Sequence, residues 1–431
     1  MYRKIMDYLE AWKQGRERKP LVLQGARQVG KTYTLLEFGR THYENVAYFN
    51  FEMTPSLNET FAEDIRPEAL LPILSHIAGQ TIVREKTLVI FDEVQLCERA
   101  LTSLKYFCEE APGYHIAVAG SLLGVAVNRA QFSFPVGKVD MKTMYPMDME
   151  EFMLAMGEND LVARIRACFQ TDTPLPSALH EAAMRLYRQY LVVGGMPECV
   201  SKFAQTRDHI LVRYTQDTIL ASYLNDMSKY NQTNEIKKAR LAYDNITVQL
   251  SRKNTRFQYK LIKKGGRAAE FENALEWLVL SGIVSRVYKV EQVRKPLENY
   301  RDIDSFKIYV SDLGLLCAKK DLAADDVLYM SEELNDFKGG MVENYAQVQL
   351  TANGYRTYYW ESARGAEVDF VIQREGKLIP IEVKAADNTR AKSLKVYMDT
   401  YQPDYAIKLS AKNFSFEDRK KTVPLYAAFC I

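Results

Sequence analysis

One spacing constrains this chain more than any other feature. Gly25-Ala26-Arg27-Gln28-Val29-Gly30-Lys31-Thr32 satisfies G-x-x-x-x-G-K-[ST], follows the apolar run Leu21-Val22-Leu23 and leads into Thr34 to Phe38, which is patterned as a helix. The glycines permit a tight loop whose backbone N–H groups turn inward. The helix behind the loop adds its positive end, so the unit is built to hold a polyphosphate without side-chain bulk. The residues from Gly25 to Thr32 are therefore expected to wrap nucleotide phosphates, with Lys31 reaching the β- and γ-phosphates and Thr32 ligating Mg²⁺.

Such a loop needs a parallel sheet around it. From Pro20 to about Met149, strand-like runs at Leu21 to Gln24, Val46 to Phe51, Thr87 to Phe91, His115 to Ala119 and Val136 to Lys142 alternate with helix-length segments. The run Thr87-Leu88-Val89-Ile90-Phe91-Asp92-Glu93 ends in two carboxylates, where α/β sheets present residues to ligands. Asp92 is expected to hold Mg²⁺ through water, and Glu93 to orient and polarise the water that attacks the γ-phosphate. ATP and Mg²⁺ are thus the expected ligands.

At 431 residues the chain is long enough for several domains, and its 47% hydrophobic and 26% charged residues exclude wholesale disorder and collagen-like repetition. Lysine plus arginine exceed aspartate plus glutamate by 57 − 55 = +2, which excludes a histone-like chain but leaves local basic patches open. Cys97, Cys108, Cys168, Cys199, Cys317 and Cys430 show no C-x-x-C spacing, and the histidines never stand at i, i+4, so neither disulfide staples nor a zinc centre is expected. The first twelve residues place Ile5, Leu9 and Trp12 at helical spacing among charges, the pattern of a docking helix and not of a signal peptide. No apolar run reaches the ~20 residues that span a bilayer, so cytoplasmic residence is expected and a membrane partner is not.

The expected architecture is α/β and multidomain. Residues 1–150 form the P-loop core and 151–230 a helical lid; 231–320 are a winged-helix-like region, read from helices followed by a hairpin; 337–431 are a small α/β domain. In the last of these, two β-runs flank Glu375-Gly376. A two-residue loop there sets Arg374 against Lys377 and, counting outward, Asp369 against Glu382, with Cβ atoms about 5 Å apart. Lys384 shares that face because strand side chains alternate. Like charges set opposite each other invite a divalent cation or the lysine to offset them. Further upstream, Arg252, Lys253, Arg256, Lys260, Lys263, Lys264 and Arg267 cluster around Phe257 and Tyr259, a composition suited to the phosphates of DNA and equally to a solvated helix face.

The order of elements, with a strand between those carrying Lys31 and Asp92, resembles the AAA+ branch of P-loop ATPases. Lys19-Pro20-Leu21 through Thr32, Phe91-Asp92-Glu93-Val94-Gln95, Ala119-Gly120-Ser121, Tyr145-Pro146 with Glu151-Phe152, and Gly194-Gly195-Met196-Pro197-Glu198 together resemble a bacterial and archaeal family of AAA+ ATPases. The resemblance implies a winged-helix region after the ATPase and a C-terminal domain similar to restriction-endonuclease folds. It also implies that Ser121 is a polar sensor of the γ-phosphate. Where that family has an arginine before Tyr-Pro, this chain reads Val136-Gly137-Lys138, so Lys138, or else Arg129, stands in for the arginine finger. The hairpin acids resemble the PD-(D/E)xK nuclease signature, with Asp369 as first acid, Glu382-Val383-Lys384 as the second element and Glu343 on the preceding helix. Val368 replaces the signature's proline. That resemblance implies Mg²⁺ or Mn²⁺ on Glu343, Asp369 and Glu382, with Lys384 orienting the attacking water. The alternative is a nucleotide-switched partner-binding module whose C-terminal domain cuts nothing.

Overall fold

The computed structural model describes residues 1–120, 134–230, 233–251, 256–385 and 392–431. Contacts divide the chain into two compact units: residues 2–145 with 280–282, and residue 1 with 146–279 and 283–431.

In the first unit five strands, β1 (Leu21–Gln24), β2 (Asn45–Asn50), β3 (Thr87–Asp92), β4 (His115–Ala119) and β5 (Asp140–Thr143), form a parallel sheet in the order β2-β3-β4-β1-β5. Every residue of β3 is buried, which is why it reads as a continuous apolar run rather than an alternating one. In sequence β2 lies between the loop and Asp92, but in space β4 separates β1 from β3 and β2 is the outer strand. The ends of β1 and β3 consequently open on the same carboxyl edge, where α/β sheets hold their ligands. The strand expected from Val136 begins only at Asp140, because Gly137 turns the chain with φ 75°. Phe51, Phe61 and Phe91 meet ring to ring at 5.6–5.9 Å on one side of the sheet, and truncating Phe91 to alanine would cost about 3–5 kcal/mol. The N-terminal helix, Ile5–Gln14, buries Ile5, Leu9 and Trp12, the stripe its spacing predicts.

The second unit is built on a mixed sheet of eight strands: β6 (Val284–Val290), β7 (Arg301–Val310), β8 (Tyr358–Glu361), β9 (Glu367–Arg374), β10 (Lys377–Val383), β11 (Ala406–Ser410), β12 (Ser415–Glu417) and β13 (Lys420–Pro424). Their order is β12-β13-β11-β10-β9-β8-β6-β7. The hairpin expected as the wing of a separate middle region is part of this sheet: β6 pairs in parallel with β8, from Tyr288 opposite Tyr358 to Val290 opposite Trp360. Without that pairing β8 would present a raw edge. Helix Asn335–Ala352 is spliced to β7 by Asn344, whose amide accepts from Val310 N and donates to Val310 O, both at 2.8 Å.

Helices Met149–Ala155, Asn159–Thr171, Ser177–Val193, Pro197–Thr206 and His209–Tyr230 fill the stretch read as a lid. The first is started by Asp148 and Glu151, each of whose side chains accepts the other's backbone N–H, at 2.9 and 3.1 Å. No helix among the described residues is long and apolar enough to cross a membrane.

Candidate functional site

The loop from Gly25 to Thr32 leaves β1 at the carboxyl edge and passes into helix Lys31–His42. Gly25 adopts φ 145°, and a Cβ there would lie 2.1 Å from Met144 O, so only glycine fits. Gly30, at φ 94°, caps the helix, and the first turn carries no acid to oppose an anion. Lys31 is 7% exposed and donates to Gly25 O and Ala26 O at 2.9 and 2.7 Å. Burial pushes its amine down to about 8. Arg3, which the sequence reading passed over, braces the loop by donating to Val29 O at 2.9 Å and to Tyr145 O at 2.7 Å.

Asp92 is buried at the end of β3, and its Oδ2 accepts from Thr32 Oγ1 at 2.9 Å and from Tyr48 OH at 2.8 Å. The two residues expected to share Mg²⁺ are thus in direct contact across the width of β4. Glu93 follows at φ 51° and accepts from the Gln95 amide, which turns it away from the strand direction. Ser121 and Arg129 lie outside the described residues.

Lys138 is a different case. It precedes Asp140, which pairs with Leu21 at the start of β1, and it forms an ion pair at 2.9 Å with Glu109 at the end of helix Glu98–Glu110. It therefore stands at the amino edge of the sheet. At about 3.3 Å per residue, β1 puts roughly 13 Å between that edge and the loop. Lys138 therefore lies away from a phosphate held by the loop of its own chain.

In the second unit the turn at Glu375-Gly376, with φ 48° and 75°, sets Lys377 opposite Arg374 through Ile381 opposite Phe370. Continuing that register puts Glu382 opposite Asp369, and Val383 N donates to Asp369 Oδ2 at 2.7 Å. Lys384 is ion-paired with Glu382 Oε1. Glu382 is 3% exposed, and its Oε2 is buried with no donor among the described residues.

These groups line a cavity of about 370 Å³ between β7, β9, β10 and the helices Thr233–Ser251 and Asn335–Ala352. The two helices close in beside the cavity because residue 340 is glycine; a Cβ there would lie 2.1 Å from Leu250 O. Carboxylate oxygens of Glu343, Glu367 and Asp369 lie within 4.8 Å of one another, the spacing that can hold a metal ion. Glu367, missed in the sequence, joins this cluster, while the expected ligand Glu382 adjoins it from β10. Lys307 and Tyr309, also missed, arrive from β7. Lys307 Nζ donates to Glu343 Oε1 at 2.7 Å and to Glu367, and Tyr309 OH donates to Glu343.

Burial raises the carboxyl of Asp369 well above its ordinary value, and Glu343 and Glu382 add to the effect. Burial also raises Glu382 and Glu367. Desolvation works against the charge of Lys307, yet Glu343, Tyr309, Glu367 and Asp369 outweigh it and hold its pKa well above the usual lysine value. The orphaned oxygen of Glu382 and the packed oxygen donors suit a hard divalent cation.

Of the basic residues, Arg256 is exposed and lines the cavity, and Lys260 is exposed on the short helix Tyr259–Ile262. Arg252 and Lys253 lie outside the described residues.

Residues 17–153 match the AAA domain family. Residues 184–326 and 338–428 match two families described as domains of unknown function, DUF8612 and DUF4143. Among solved structures, the Walker-type ATPase PABY2304 of Pyrococcus abyssi is 14% identical over 73% of this chain and 94% of its own, with a TM-score of 0.45. The ORC2 protein of Aeropyrum pernix is 14% identical over 80% and 92%, with a TM-score of 0.33. The RuvB Holliday junction branch migration motor of Thermotoga maritima is 15% identical over 66% and 88%, with a TM-score of 0.29. No curated protein matches the sequence.

Proposed function

We propose that this chain binds ATP with Mg²⁺ at Gly25 to Thr32, hydrolyses it, and couples nucleotide state to a divalent-cation site in the C-terminal cleft that acts on DNA. The contact between Thr32 Oγ1 and Asp92 Oδ2 at 2.9 Å carries the first part of this reading. Mg²⁺, when bound, neutralises charge on the phosphate oxygens. The backbone N–H groups of the loop and the amine of Lys31 hold the phosphates, Thr32 and Asp92 hold the ion, and Glu93 orients the attacking water. Ser121 is proposed as sensor. Lys138, half-buried at the amino edge, is proposed to act only on a neighbouring copy's nucleotide, as a point charge in place of the usual guanidinium fork.

For the cleft, the support is the buried Glu382 Oε2, without a partner among the described residues, beside Asp369. In this reading the domain is of the restriction-endonuclease type and the middle region is winged-helix-like. Glu343, Glu367, Asp369 and Glu382 would hold Mg²⁺ or Mn²⁺, which polarises a phosphodiester and its attacking water. Lys384 orients that water, and Arg252, Lys253, Arg256 and Lys260 contact DNA phosphates.

One observation favours a second reading. A single copy has no cation from Lys138 at its own loop, which suits a slow nucleotide switch controlling a partner, with a cleft that does not cut. Incubation with Mg²⁺ or Mn²⁺ and several DNA forms, with and without ATP, separates the two. Cleavage lost in both Asp369→Ala and Glu382→Ala supports the nuclease; none under any condition supports the switch. Absence of ATP binding and turnover in wild type would overturn both.

A further inference from the structure

We propose that Lys307 is a resident cation that takes the place of a second metal ion in the C-terminal cleft, so that the cleft holds one divalent cation, on the side of Asp369 and Glu382. The inference rests on the cation-site reading above.

Lys307 is 8% exposed, and its ammonium bridges Glu343 and Glu367, two of the three carboxylates whose oxygens lie within 4.8 Å of one another. It is held there from a third side by the ring of Tyr359, 5.1 Å from the ammonium. An ion bound through Glu343 Oε1 and Glu367 Oε1 would have to evict Lys307. The other half of the cluster is different. Glu382 Oε2 has no donor among the described residues, and Asp369 is fixed opposite it by the Val383 N–H.

Charge counting points the same way. With an ion bound and the carboxylates ionised, Glu343, Glu367, Asp369 and Glu382 contribute four negative charges, and Lys307 and Lys384 two positive ones, giving 2 − 4 = −2. One divalent ion brings the buried cluster to neutrality. A second would leave an excess of positive charge away from water, which is unfavourable. A fixed ammonium beside one ion supplies the charge that a second ion supplies in a two-metal clamp. The element that delivers it, β7, belongs to the hairpin upstream of the acids, so it is absent from any motif read on β9 and β10.

The test is Mn²⁺ binding to the full chain without nucleotide, by calorimetry and electron paramagnetic resonance, in an Asp92→Asn background that removes the carboxylate of the P-loop site. The expected wild-type cleft gives one Mn²⁺ per chain with an uncoupled spectrum. Lys307→Met is expected to give two, spin-coupled, and the charge-balanced Lys307→Met/Glu367→Gln pair to return to one. A Lys307→Met chain that folds only when Mn²⁺ is present supports the proposal equally. A spin-coupled pair in wild type overturns it, and this measurement needs no Lys307 variant to fold. One ion at unchanged affinity in folded Lys307→Met also overturns it. If wild type binds no Mn²⁺, the cation-site reading itself fails, and the inference with it.

Discussion

Val383 donates its backbone N–H to Asp369 Oδ2 at 2.7 Å, so the strand that carries one acid of the cleft also anchors the other. Asp369 and Glu382 are thereby held as a pair. Asp369→Asn keeps an acceptor for that N–H but loses the charge. Divalent-cation affinity should fall on the order of 100-fold with little change in Tm. Asp369→Ala should in addition lose about 1–3 kcal/mol of stability, because a buried N–H is left unpaired. Mn²⁺ titration beside thermal melts of both variants checks this; equal melting of the two would contradict it.

The depressed amine of Lys31 makes ATP binding a proton-linked event. Its value of about 8 applies to the empty loop, and burial is the cause. Phosphate oxygens favour the charged form, so binding takes up a proton wherever the free amine is neutral. ATP affinity should therefore weaken as pH rises through that value, by about tenfold per unit above it. Calorimetry in two buffers of different ionisation enthalpy, near pH 9, should show net proton uptake by wild type and none by Lys31→Met.

Glu93→Gln should leave ATP affinity near wild type and lower turnover by about 10²–10⁴-fold, since it removes a base and leaves the phosphate ligands in place. A variant that loses binding and turnover together would assign Glu93 a structural role instead.

The first unit should lose stability on mild acidification. His115 is buried, its Nδ1 is 2.7 Å from Tyr43 OH, and burial depresses its pKa from 6.5 to about 4. A depressed imidazole contributes stability that is complete above its unfolded value and is lost as pH falls from there toward 4. The Tm of wild type should drop over that window more steeply than that of His115→Gln. Parallel slopes would remove His115 from the account.

The sequence made some of this legible for specific physical reasons. The P-loop was readable because its backbone demands glycine at defined places, as Gly25 against Met144 O illustrates. The Asp369 and Glu382 register was readable because a two-residue turn at Glu375-Gly376 leaves no freedom in the pairing. Lys307 and Tyr309 were not, because nothing local in β6 announces that it pairs in parallel with β8, and that long-range pairing brings Lys307 to the acids; Glu367, two residues before Asp369 on β9, was open to the same alternation that placed Lys384. Lys138 could not be placed from sequence, for a related reason. Its distance from the loop is set by which end of β5 it precedes, and motif spacing carries no information about sheet edges.

The union of the β6-β7 hairpin with the C-terminal strands bears on how this chain can be divided. A fragment beginning near residue 338 would keep Glu343, Glu367, Asp369 and Glu382 yet shed Lys307, expose the backbone of β8 to any passing strand and strand Asn344 without Val310. The acids from Glu343 to Glu382 are thus not a portable cassette. Recombination that moved them would have to carry residues 284–310 along, and so the middle and C-terminal segments are expected to travel through evolution, and to melt in solution, as one piece.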